Sequence, residues 1–138
     1  MIATLQTVVS KAQKWKYAVG AFNVSDLEQI QAVIWAAEEM ESPVIINTTE
    51  KAIAYAGREV LSSIVHTLAK HVRVPVVLNL DPGRDVTVAK QCIRDAWTGI
   101  MFDGSTLPYA ENIKKTAEVA SFAKRYGVGV EGELGRVK

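Results

Sequence analysis

Apolar and polar positions follow two alternating rhythms along this chain. Short apolar, β-branched runs have the length and composition of strands: YAVGAFNV (17–24), SPVIINTT (42–49), VPVVLNLD (74–81), GIMFDGS (99–105) and VGVEGEL (128–134). Between them the apolar residues recur at helical spacing. In 25–40, Leu27, Ile30, Val33, Ile34 and Ala37 form one stripe behind a Ser25–Glu28 pair with capping-box spacing. In 58–72, Val60, Leu61, Ile64, Val65 and Leu68 share a face. A shorter helix is predicted over 85–97, and a long one over 107–127 with Pro108 near its first turn and Gly127 just past its end. One more helix is predicted over 3–15.

Five strands separated by four helices, without hairpin signals, predict right-handed βαβ units and a parallel sheet. The strand centres VII, VVL and IMF are continuous apolar runs, as in strands covered on both faces. The fold class is therefore α/β, and the length suits one domain over residues 1–138. Two architectures satisfy the pattern. One is an open, rearranged α/β sheet; the other is about half of a (β/α)₈ TIM barrel, since a whole barrel takes roughly 200 residues or more.

Composition narrows the partners. With 49% apolar and 22% charged residues the chain has a folded composition. A net charge of +1 leaves no electrostatic footprint for nucleic acid or anionic lipid. No apolar run approaches the roughly 18 residues that span a bilayer, and the first residues lack the continuous apolar core of a signal peptide. The single Cys92 excludes an internal disulfide framework. The expectation is a cytoplasmic domain without nucleic-acid or membrane partners.

Polar residues collect at the carboxyl ends of the predicted strands: Asn23, then Asn47 to Thr49, Asp81, Asp103 with Ser105, and Glu131 with Glu133. Each has an ordinary structural use. Asn23 with Ser25, and Ser105 with Thr106, suit helix N-caps, while Asp81 and Asp103 suit turns. Five strand ends in succession carrying such groups mark an edge where ligands bind in either architecture. Other signals carry less. GVGVEG (127–132) matches a dinucleotide fingerprint, but its glycines precede and enter a strand instead of opening a helix. His66 and His71 lie five apart, off the helical spacing that places two histidines on one metal. Cys92 falls in an apolar stripe, and Trp15, Trp35 and Trp97 form no stacking pattern.

Taken in order, YAVGAFNV, SPVII, LDPG, DGSTLPYAENI and VEGELG resemble the class II fructose-bisphosphate/tagatose-bisphosphate aldolases, from the first helix to Arg136. The resemblance implies a (β/α)₈ barrel of which this chain covers about the first half. It implies reversible aldol cleavage of a ketose 1,6-bisphosphate to dihydroxyacetone phosphate and glyceraldehyde 3-phosphate, with a divalent metal, usually zinc, polarising the carbonyl. It places Asp81 as the acid/base group on the substrate's C4 hydroxyl, Asp103 and Glu133 near the metal, and Asn23, Thr49 and Ser105 near a phosphorylated sugar.

The departures are specific. Where the family reads HLDHG this chain reads NLDPG, so Pro82 stands in the place of a metal-ligand histidine, and Asn79 replaces the histidine that opens the motif. A pyrrolidine ring cannot coordinate a metal. The small S-x-G turn after the second strand becomes Thr49-Glu50-Lys51. The family's other histidine ligands and glycine-rich phosphate loop belong to the second half of the barrel. The expectations are no tight zinc binding, no aldolase activity by the chain alone, and association through open sheet edges, with itself or with a chain supplying the remaining strands. Two alternatives stand beside this: an aldolase that becomes active once associated, and a non-catalytic phosphosugar-binding or structural subunit, with Lys51, Arg84 and Arg136 suited to phosphate.

Overall fold

Every predicted apolar run becomes a strand: β1 (Gly20–Asn23), β2 (Val44–Thr48), β3 (Val76–Gly83), β4 (Gly99–Phe102) and β5 (Gly129–Gly132). The structure is a computed structural model that describes residues 1–135, so Arg136 lies outside the described residues. All the pairings are parallel, and the strands lie in the order β1-β2-β3-β4-β5. A doubly wound sheet would reverse its order at a switch point, whereas strictly sequential parallel strands make a barrel wall. The sheet is open, with β1 and β5 as its edges.

The helices are α1 (Leu5–Trp15), α2 (Leu27–Glu39), α3 (Glu50–Ala56), α4 (Arg58–Ala69), α5 (Val86–Arg94) and α6 (Tyr109–Lys124). The β2–β3 connection thus holds two helices where the apolar stripe predicts one. Gly57, at φ 88°, ends α3 and opens α4, a backbone conformation that only glycine adopts cheaply. The cap of α2 also sits one residue later than predicted. Asp26, not Ser25, accepts from the Gln29 backbone N–H at 2.8 Å, and Gln29 Oε1 accepts from Ser25 N–H at 2.8 Å. Pro108 occupies the N-cap of α6, so neither Ser105 nor Thr106 caps that helix.

The strands sort their residues by parity. Val44, Ile46, Val76, Leu78, Leu80, Ile100 and Phe102 face the helices and join Ile30, Ile34, Leu61, Val65, Ala89 and Ile93 in the main core. On the other face Ile45 and Val77 pack against Val8 of α1, with Ala3, Leu5 and Val19 beside them. The chain leading into α1 is tied to the sheet by Ala3 N–H to Val76 O and Leu5 N–H to Thr98 O, both 2.9 Å. The concave face is therefore packed next to α1, and polar groups take over towards the strand carboxyl ends. Cys92 is fully buried, and burial pushes its thiol up to about 12. Trp15 and Trp35 are exposed, while Trp97 is fully buried.

Trp97 anchors the end of the sheet below the polar edge. Its Nε1–H donates to Thr48 Oγ1 at 3.0 Å, and Thr48 Oγ1 donates to Asn79 O at 3.0 Å. All three residues are buried. Thr48→Val keeps the volume and strands both partners, so it is expected to cost about 1–3 kcal/mol. Urea unfolding checks this: the midpoint falls while the slope is unchanged.

Candidate active site at the strand carboxyl ends

Register brings three asparagines into one row on the concave face. Asn23 lies opposite Asn47, and Asn47 opposite Asn79. Asn47 and Asn79 are buried, at 7% and 3% exposure, while Asn23 on the edge strand is exposed. Asn79 Nδ2 donates to Asn47 Oδ1 at 3.1 Å, and Asn47 Nδ2 donates to Asp81 Oδ2 at 2.8 Å. Asp81 follows Asn79 by two residues and so shares its face. It does not sit where the strand stops. β3 continues through Pro82 to Gly83, with a register irregularity between Leu80 and Gly83.

Partial burial lifts the Asp81 carboxyl above its ordinary value, and the hydrogen bond from Asn47 pulls it partly back. Asp81 lines a cavity of about 860 Å³ together with Asn47, Asn79, Glu131, Gln6 and Lys124. Glu131 is open to solvent along β5, yet partial desolvation, then the charges of Asp81 and Glu133, raise its carboxyl as well. One wall of this cavity thus carries two carboxylates that both resist ionisation.

The other predicted residues are arranged differently. Asp103, 9% exposed, accepts from the Ser105 hydroxyl at 2.6 Å and the Ser105 N–H at 3.0 Å through Oδ1, and from Arg84 Nε at 2.9 Å through Oδ2. The Ser105 hydroxyl first, then the Ser105 N–H and Arg84, hold the Asp103 carboxyl below its ordinary value. Glu50 Oε1 accepts the backbone N–H groups of Arg84 and Asp85 at 2.7 and 3.0 Å, fastening the loop after β3 to the start of α3. Thr49 caps α3, its hydroxyl accepting from Ala52 N–H at 3.1 Å. The Glu133 backbone oxygen accepts from Asn112 Nδ2 at 2.8 Å. Asn23, Thr49, Asp103, Ser105 and Glu133 lie outside the lining of the large cavity, so the predicted set divides in two. Asn47 and Glu131 are the residues that motif reading passed over. Their signal is positional: an amide matching Asn79 one strand away, and an acid alternating with Glu133.

A sequence profile described as "Fructose-bisphosphate aldolase class-II" matches residues 3–138. The chain belongs to the class II fructose-bisphosphate aldolase family. It is 39% identical over 132 residues to a sulfofructosephosphate aldolase of Alkalicoccus urumqiensis, covering 96% of this chain and 46% of that protein. It is 40% identical over 137 residues to a fructose-bisphosphate aldolase of Thermus caldophilus, covering 99% and 45%. Among solved structures, the YdjI aldolase of Escherichia coli K12 superposes with a TM-score of 0.91 at 32% identity, over 100% of this chain and 54% of that one. The chain spans about half the length of the relatives it matches. Its structural neighbours are TIM barrels, and its five-stranded open sheet corresponds to about half of one.

Class II aldolases are generally metal-dependent, and the donor set here can be compared with that need. Pro82 offers no donor atom, Asn79 offers an amide, and both oxygens of Asp103 are taken by Ser105 and Arg84. His66 lies on α4 with its ring against Ala96 O, and His71 follows that helix. Among the described residues, no three His, Cys, Asp or Glu side chains gather to hold a metal. These residues do not fit a catalytic zinc, which takes three protein ligands.

The raised Asp81 carboxyl carries a stability signature of its own. Because the folded value of Asp81 is raised, its ionisation opposes folding: the cost is absent below the ordinary value of 3.8 and complete above the folded one. Asp81→Asn is therefore expected to melt higher than the native chain at neutral pH, by a margin that vanishes as pH falls below that ordinary value. Thermal melts across a pH series check this; equal or lower melting of the variant at neutral pH refutes it.

Proposed function

We propose that this half-barrel carries the carboxylate-and-amide share of an aldolase-family site for a phosphorylated ketose, and that alone it does not cleave a carbon–carbon bond. The observation behind the reading is Pro82 directly after Asp81, with the Asp81 carboxylate facing the Asn47 amide. In the parent reaction, reversible cleavage of a ketose 1,6-bisphosphate, Asp81 would move the proton on the substrate's C4 hydroxyl, and its raised affinity for a proton suits that task. Among the described residues, Pro82 and Asn79 supply no histidine to hold a metal that would stabilise the enediolate such a cleavage leaves behind. Asn23, Thr49 and Ser105 would contact the sugar, and the exposed Lys51 and Arg84 would face its phosphates. A single buried cysteine is consistent with a cytoplasmic setting.

A coupled retro-aldol assay with fructose and tagatose bisphosphates, with and without Zn²⁺, tests this beside an Asp81→Ala control. The expected outcome is no turnover above that control under either condition. Metal-dependent turnover lost in Asp81→Ala overturns the proposal.

Association is a second reading, supported by the edges of the sheet. All of β1 is exposed, including Phe22 at 50%, and the flank of β5 and α6 exposes Tyr109, Ile113 and Leu134 at 68%, 52% and 71%. Unpaired parallel edges beside exposed apolar groups favour pairing with a second copy or with a chain supplying further strands. Light scattering on the purified chain is expected to give an oligomer; a monodisperse monomer refutes self-association.

A further inference from the structure

Asp81 is held by a chain of amides that runs in one direction. Asn79 gives its Nδ2–H to Asn47 Oδ1, and Asn47 gives its Nδ2–H to Asp81 Oδ2. The acceptor at the end fixes the orientation of both amides, since an ionised carboxylate can only accept. We propose that Asn47 is a positioning residue for Asp81, oriented in turn by Asn79, so that one carboxylate oxygen is committed to the amide pair and the other is left for a ligand proton. The inference rests on the reading of Asp81 as the acid/base group of the site.

Four observations support it independently of the acid itself. The β2–β3 register sets the two asparagines side by side, and each is more than nine-tenths buried, so their hydrogen bonds are not traded freely with water. The backbone at Asn79 is pinned from below, because its carbonyl accepts from the Thr48 hydroxyl, which itself accepts from Trp97 Nε1. The next strand makes room: a Cβ on Gly99, opposite Asn79, would lie 2.6 Å from Asn79 Oδ1 and 2.8 Å from Leu5 Cβ. Finally, Asn79 Oδ1 is buried with no hydrogen-bond partner among the described residues, in the one orientation that lets Asn79 Nδ2 donate to Asn47. The two asparagines also fill positions on the wall of the cavity that Asp81 lines, so the amide chain approaches the acid from the protein side.

The other titratable groups on that cavity are Glu131 of β5 and Lys124 of α6, and the Asp103–Arg84 pair stands just past the ends of β4 and β3. Their fields act alike on the native chain and on variants at position 47, so a difference between the two isolates the amide.

The test is side-chain NMR on the labelled full chain. In the native protein the Asn47 Nδ2 protons are expected to shift with the same midpoint as the Asp81 carboxyl carbon, and to lose that response in Asp81→Ala. In Asn47→Leu the Asp81 midpoint is expected to move up, because a donor to the ionised form is gone. Asn79→Leu is expected to move it the same way by less. An Asn47 amide indifferent to Asp81 ionisation, or an unchanged Asp81 midpoint in folded Asn47→Leu, overturns the proposal. If Asn47→Leu fails to fold, the native-protein signal decides alone. Ligand and turnover assays bear on the function of Asp81 and not on this coupling, so failure of either claim is visible without the other.

Discussion

The register between β2 and β3 is the constraint on which the site depends. It places Ile46 beside Leu78 in the helix-facing core and, one residue on, Asn47 beside Asn79 on the concave face. A slip of one residue would drive one of the two asparagines into an apolar layer and turn Ile46 or Leu78 towards the cavity. The cost of burying an unpaired amide there is what makes the slip unfavourable. Packing on one face therefore specifies the polar geometry on the other. The Trp97–Thr48–Asn79 hydrogen bonds reinforce the same register at the point where the apolar layer ends.

The strand ends treat their carboxylates unequally. Asp103 is compensated three times over, by the Ser105 hydroxyl, the Ser105 N–H and the Arg84 guanidinium, and is held ionised. Asp81 receives one neutral amide and loses solvent, so its proton is held more tightly. A carboxylate whose charge is already neutralised by Arg84 gains little from a further cation, whereas an under-compensated one is poised to exchange a proton. The under-compensated carboxylates of the edge are thus Asp81 on β3 and Glu131 along the same wall. The loop after β3 is internally consistent: Glu50 holds the Arg84 and Asp85 N–H groups, and Arg84 in turn reaches Asp103.

Much of the architecture was legible because strand and helix periods differ and because glycine and proline punctuate them. The five strands follow from the runs in VII, VVL and IMF, and the edge follows from the polar residues that end them. What periodicity could not give is local hydrogen bonding. Residues 50–56 are too short for a readable apolar stripe, and the glycine that separates them from the next helix looks like any loop glycine until its φ is known. Asp26 and Ser25 are both good caps, and which of them is used depends on where the strand before them releases the chain. Asn47 was visible as a strand-end polar residue, but its bond to Asp81 spans 34 positions and depends on the lateral pairing of two strands. No linear motif encodes such a bond. The resemblance located Asp81, and the register supplied its neighbour.

The concave face shows how half of a barrel can hold a formed acid without a closed wall. In a complete barrel, inward side chains from all strands interdigitate in layers. Here the layer nearest α1 is apolar, with Ile45 and Val77 packed on Val8, and the next is the asparagine row. Asn47 and Asn79 find their partners on β2 and β3 and neither needs the opposite wall, so the amide chain is complete within those two strands. Glu131, by contrast, sits on the edge strand, and the groups that would face it belong to no strand described. The arrangement around Asp81 is thus local to this chain, while the environment of Glu131 depends on whatever comes to lie against β5. Asp81 is for that reason the better reporter of what these residues do by themselves, and Glu131 the better reporter of association.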